Sequence, residues 1–129
     1  FKLTTQTTPR VLSAATITGD GVKNSQGEDL GTIKDLMIET DHGHVAYAVL
    51  EFGSFLGMGG KLFAVPWQAL KLCAEEKCFK LDVQKEQLER AHGFDPDNWP
   101  DMADQTWQTE VHNVYGTQPY WERMQHYTG

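Results

Sequence analysis

The sequence predicts a mainly β domain: a small six-stranded barrel, closed or nearly closed, with a C-terminal helical extension. Three observations predict it. The runs Gly27-Glu28-Asp29-Leu30-Gly31-Thr32-Ile33-Lys34-Asp35-Leu36-Met37-Ile38 and Val45-Ala46-Tyr47-Ala48-Val49-Leu50 read as consecutive strands around a polar break at Asp41-His42-Gly43. Further short β-patterned runs, separated by turn residues, continue as far as Val83, a spacing that suits a barrel. Beyond them the period lengthens, with Trp99, Ala103, Trp107, Val111 and Tyr115 recurring every four residues as one apolar stripe.

Residues 1–15 are rich in Thr, Gln and Ser without a clean period, and are read as an extended arm. Residues 16–85 form the barrel and 86–129 a helical, acidic, Trp-rich tail. Within the barrel, 19–24 is a short first strand that ends in the turn Asn24-Ser25-Gln26-Gly27. Residues 30–40 form a second strand whose alternation breaks near Asp35-Leu36, as a bulge or a strongly bent strand requires. Gly43 turns the chain into a third strand, 44–52, rich in Val, Tyr and Ala. A glycine-rich segment follows, then a strand over 61–65 stopped by Pro66-Trp67, a single helical turn over 67–70, and a hairpin of 71–73 with 78–83. In the tail, 84–91 is a short helix ended by His92-Gly93. A longer helix follows, with Pro100 in its first turn, Asp101 and Asp104 at its positive end, and Gly116 closing it.

A chain of 129 residues with 40% hydrophobic residues and fourteen aromatics suits one domain with a real core. The net charge of −7 argues against nucleic acid, whose phosphates are neutralised by Lys and Arg, and against an anionic membrane surface. The charge is uneven: residues 61–85 carry five basic against three acidic side chains, whereas 86–129 carry two against eight. Patches of opposite sign attract each other, within one chain or between copies. No window approaches the roughly 20 apolar residues of a membrane span, and no signal-peptide pattern opens the chain, so membrane insertion is not expected and a cytoplasmic location is. Phe1 is not an initiator, which implies trimming upstream. Cys73 and Cys78 bracket four residues and would face each other across a hairpin. The expectation is two free, half-buried thiols in a reducing compartment; a disulfide there would contribute only about 2 kcal/mol.

These elements together resemble the PRC-barrel family, the module of the photosynthetic reaction-centre H subunit and of a ribosome maturation factor. The resemblance rests on Gly27 to Leu36, on Val45-Ala46-Tyr47-Ala48-Val49, and on Leu62-Phe63-Ala64-Val65-Pro66-Trp67-Gln68-Ala69-Leu70, and covers residues 16–85. The tail with Asp97-Asn98-Trp99-Pro100-Asp101-Met102 is similar to that of small stand-alone bacterial PRC-barrel proteins. Residues 1–15 do not resemble the transmembrane helix of the reaction-centre subunit or the companion domain of the ribosome factor, so neither protein's specific job is expected to carry over. The resemblance implies a barrel used for protein–protein contact, often as a homo-oligomer, with no chemistry of its own.

The residues themselves point the same way. Gly53 to Gly60 is no phosphate cradle, because Gly60-Lys61 is followed by Leu62 rather than Ser or Thr. His42 and His44 lack a Cys or carboxylate at ligand spacing, and in Asp95-x-Asp97-x-x-x-Asp101 a calcium loop fails because Trp99 and Pro100 occupy key positions. Asp35 is read as bonding backbone N–H groups at the strand irregularity. No catalytic, metal-binding or cofactor-binding residue is expected. The expected function is a non-catalytic protein–protein interaction and assembly module that associates with itself. Its contacts fall on Phe55, Leu56, Met58, Trp99, Trp107, Tyr115, Tyr120 and Trp121, since aromatics dominate interface energetics. Two alternatives are a small-ligand or metal-binding barrel and an RNA- or ribosome-associated factor.

Overall fold

The structure, a computed structural model, describes residues 11–53, 60–73, 77–90, 93–119 and 121–122. Its elements in chain order are α1 (Ala14–Ile17), β1 (Gly21–Lys23), β2 (Asp29–Glu39), β3 (His44–Phe52), β4 (Lys61–Pro66), a 3₁₀ turn (Trp67–Ala69), β5 (Leu70–Leu72), β6 (Cys78–Leu81), α2 (Lys85–Arg90) and α3 (Gln105–Tyr115). The six strands form one sheet in the order β4-β3-β2-β1-β6-β5. All neighbours are antiparallel except β1 and β6, which run parallel with Gly21 opposite Cys78. The sheet curls into a half-barrel whose end strands, β4 and β5, are joined through the 3₁₀ turn rather than paired.

Local chemistry sets this curvature. The β2–β3 register shifts between Ile33 and Asp35, where the Leu36 N–H donates to Asp35 Oδ1 at 2.8 Å. The side chain supplies the acceptor that the bulge takes out of the ladder, as expected at that point. Gly31 holds φ +120°, and a Cβ there would run into the backbone carbonyl of Glu51 on β3, so only glycine lets the two strands approach.

Two apolar layers lie on either side of the sheet. The inner one gathers Val22, Leu30, Ile33, Leu50, Val65, Phe79 and Leu81 with Ile17 and Leu88 from the flanking helices. The outer one holds Ala46, Tyr47 and Ala64 under Phe94, Met102, Trp107 and Val111. Ala46 to Leu50 and Leu62 to Pro66 are therefore buried without interruption, while β6 alternates. An apolar strand with both faces covered reads as a continuous run, and each Val or Leu so buried contributes about 1.5–3 kcal/mol.

Three expectations need correction. The arm over residues 1–15 is not extended where it is described: Ser13 Oγ accepts from the Ala15 N–H and starts α1, and Leu12 and Ile17 pack on the inner core. The long tail helix begins at Gln105, not near Pro100. Phe94 forms a bridge with Leu62, and a turn closes from Asp95 to Asn98, so Trp99 and Ala103 precede the helix. Of the two acids near its start, Asp101 accepts from the Ala103 N–H, and Asp104 is the N-cap, accepting from the Thr106 N–H at 3.0 Å. Gly116, at φ 67°, ends the helix as expected. Finally, Cys73 and Cys78 are not free: they form a disulfide. The Cys73 N–H donates to the Cys78 carbonyl at 2.9 Å, which sets the two directly opposite, and their 5.3 Å Cα separation suits the bond.

Candidate interaction site

The outer face of β3 and β4 is where the tail meets the sheet. Tyr47, 1% exposed, donates its phenol O–H to Gln108 Oε1 at 2.8 Å. Gln108 and His112 lie one turn apart on α3 and are both buried, an i, i+4 pair that turns the helix's polar groups inward onto the one phenol in the strand. The Tyr47 ring meets Trp107 edge-on at 5.6 Å and lies 5.5 Å from His112. His112 Nδ1 and Thr117 Oγ1 are 2.7 Å apart, and Thr117 N–H donates to the His112 carbonyl, so the helix end is held by the residue that follows its glycine cap. This polar seam fixes the orientation of α3 within an otherwise apolar contact.

Beside the seam a groove of about 630 Å³ opens between α2, β4 and α3, lined by Phe63, Phe94, Trp107, Val111, Val114 and Tyr115 among others. Gln87 and Glu110 supply its polar side chains, and Val114 is 56% exposed at its edge. Burial pushes the Tyr115 phenol far above its usual pKa, so it remains a neutral hydroxyl.

Of the residues expected to make contacts, Trp107 and Tyr115 line this groove, and they are the two that the structure brings together. Trp99 stands apart, its Nε1–H donating to the Pro96 carbonyl at 2.8 Å and its ring edge-on to Phe94. Trp121 lies edge-on to His112 at 6.2 Å and does not line the groove. Phe55, Leu56, Met58 and Tyr120 fall outside the described residues. Tyr47, Gln108, His112 and Val114 also belong to this site and are not among the contact residues that the sequence predicts. The i, i+4 spacing of Gln108 and His112 was the signal available for two of them.

The other candidates stay at the periphery. His42 Nδ1 lies 3.0 Å from Glu39 Oε1 at an exposed turn, with the His44 ring 6.2 Å away. Desolvation acts to raise the Glu39 carboxyl, but the Asp41 and His42 N–H groups and the His42 ring outweigh it and hold the group below the usual carboxylate value. Among the described residues no three His, Cys, Asp or Glu side chains gather as metal ligands would, and no helix is long and apolar enough to cross a membrane.

Fold and site thus define a small curled β-sheet domain whose outer face is clamped by its own tail helix. The PRC-barrel domain family model matches residues 9–88, more than half of the chain, and the chain belongs to that family. No curated protein matches it.

Proposed function

We propose that this protein is a non-catalytic interaction and assembly module that associates with copies of itself. The observation that carries the reading is the apolar groove along α3, with Trp107, Tyr115 and the exposed Val114 presented on a rigid helix rather than on a loop. Aromatic and aliphatic side chains held in place by the fold bind with little loss of conformational freedom. Membership of the PRC-barrel family supports a general binding module. A disulfide between Cys73 and Cys78 speaks for a compartment that keeps such bonds oxidised.

The test is mass by light scattering after size exclusion, over a wide range of protein concentration. A dimer or larger species is expected, with Val114→Glu on the groove edge shifting it toward monomer. A strict monomer at every concentration refutes the reading. The groove's volume also lies in the range of small-molecule sites, which favours a ligand-binding barrel as the second reading. Native mass spectrometry of freshly purified protein, showing a co-purified adduct displaced on denaturation, would select it.

A further inference from the structure

The outer face of the opposite half of the sheet carries a row of lysines. Lys23 on β1 is in register with Lys80 on β6, and Lys80 is in register with Lys71 on β5. All three are exposed, whereas the residues that alternate with them, Val22, Phe79 and Leu81, point into the core. Neighbouring strands lie about 4.8 Å apart, so three ammonium groups stand side by side with Lys80 flanked on both sides. Like charges directly opposite each other in a sheet are destabilising. Nearby acids are few: Asp29 stands opposite Lys23 and accepts from the Gly31 N–H, and Asp82, two residues beyond Lys80, accepts from Ser25 Oγ. None of the three lysines makes an ion pair among the described residues; Glu75 and Glu76 of the hairpin loop lie outside them.

The complementary charge is on the tail. Asp95, Asp97, Asp101, Asp104 and Glu110 are all exposed. They belong to the segment that packs on β3 and β4, and β2 lies between β3 and the lysine-bearing strands. Among the described residues none of these acids makes an ion pair with the three lysines of the same molecule.

We infer that the Lys23–Lys80–Lys71 row receives the acidic tail of a second copy of this chain. The inference rests on the self-association proposed above and specifies one of its surfaces. A row of three cations has an extended, salt-sensitive field that a single ion pair lacks, and it selects a partner with several carboxylates along one segment. The lysines are exposed and make no hydrogen bond or ion pair through their side chains among the described residues, so they can be reversed without emptying the core.

The experiment measures self-association of the full chain by sedimentation velocity, at low and high salt. The wild type is compared with Lys71→Glu/Lys80→Glu, with the neutral Lys71→Gln/Lys80→Gln, and with Asp97→Lys/Glu110→Lys. Thermal unfolding confirms that each variant is folded. The expected result is association that weakens with salt, weakens by at least about tenfold on lysine reversal and less on neutralisation, and returns when the lysine-reversed and acid-reversed variants are mixed. If the wild type associates but both lysine variants match it, the inference is wrong and self-association stands. If the wild type is monomeric at every concentration and at low salt, the self-association reading itself fails and this surface falls with it.

Discussion

Asn24 shows how one turn residue can hold two ends of a fold. It is 1% exposed. Its Oδ1 accepts from the N–H groups of Gln26 and Glu28 at 3.1 and 2.9 Å, closing the turn, while Nδ2 donates to Glu28 Oε1 and, 59 positions along, to the Val83 carbonyl at 3.2 Å. Asn24→Ala would leave those backbone groups without the side chain that serves them, and a loss of roughly 2–3 kcal/mol is expected in urea unfolding. A change below about 0.5 kcal/mol would show that water replaces the amide. The turn itself was legible in Asn24-Ser25-Gln26-Gly27, because that composition belongs to turns. The bond to Val83 was not, since nothing local distinguishes an asparagine that caps its own turn from one that also reaches another strand.

Among the elements, strands were easier to read than the helix start. The third strand lies at residues 44–52 as expected, and the break at Asp35 is real, because burial on a pleated sheet writes itself into alternation and its interruptions. The start of α3 was not legible, since Asp101 and Asp104 both offer a capping oxygen and each accepts from the N–H two residues on, although only Asp104 begins the helix. The β5–β6 hairpin carries a mechanical consequence: its disulfide sits two rungs from the repelling Lys71–Lys80 pair, with Leu72 opposite Phe79 between them. Replacing both cysteines, Cys73→Ser with Cys78→Ser, is expected to cost about 2 kcal/mol, and a thiol reductant should lower the melting temperature of the wild type by a similar margin. An unchanged midpoint in both would mean that the ladder alone holds the hairpin.

At the scale of the whole molecule, the tail is part of the fold. The stripe of Trp107, Val111 and Tyr115 announced a face that had to be buried, but periodicity could not say on what. For Trp107 and Val111 the structure answers with the outer face of β3 and β4, two strands whose unbroken apolar runs are the other half of the same message, while Tyr115 packs against the inner cluster. Trp107→Ala should therefore destabilise the entire domain by roughly 3 kcal/mol, with a single unfolding transition, rather than release a helix from an intact sheet. Two transitions by tryptophan fluorescence and circular dichroism would show the tail to be a separate unit. The groove was only partly legible, because Trp107 and Tyr115 advertise themselves by size whereas Val114 and the lysine row depend on how distant segments align.

The parallel pairing of β1 with β6 has a consequence in time. Strands β2, β3 and β4 follow one another as neighbours, so their contacts close through short stretches of chain. β1 has a neighbour early, in β2, but its other edge waits for residues 78–80, and Asn24 waits for Val83. Contacts that span so much sequence form after the loop-closure entropy has been met by nearer ones. On a chain emerging in order from its N-terminus, the first strand made is thus the last to acquire both partners, and the meander that follows it is the template on which it waits.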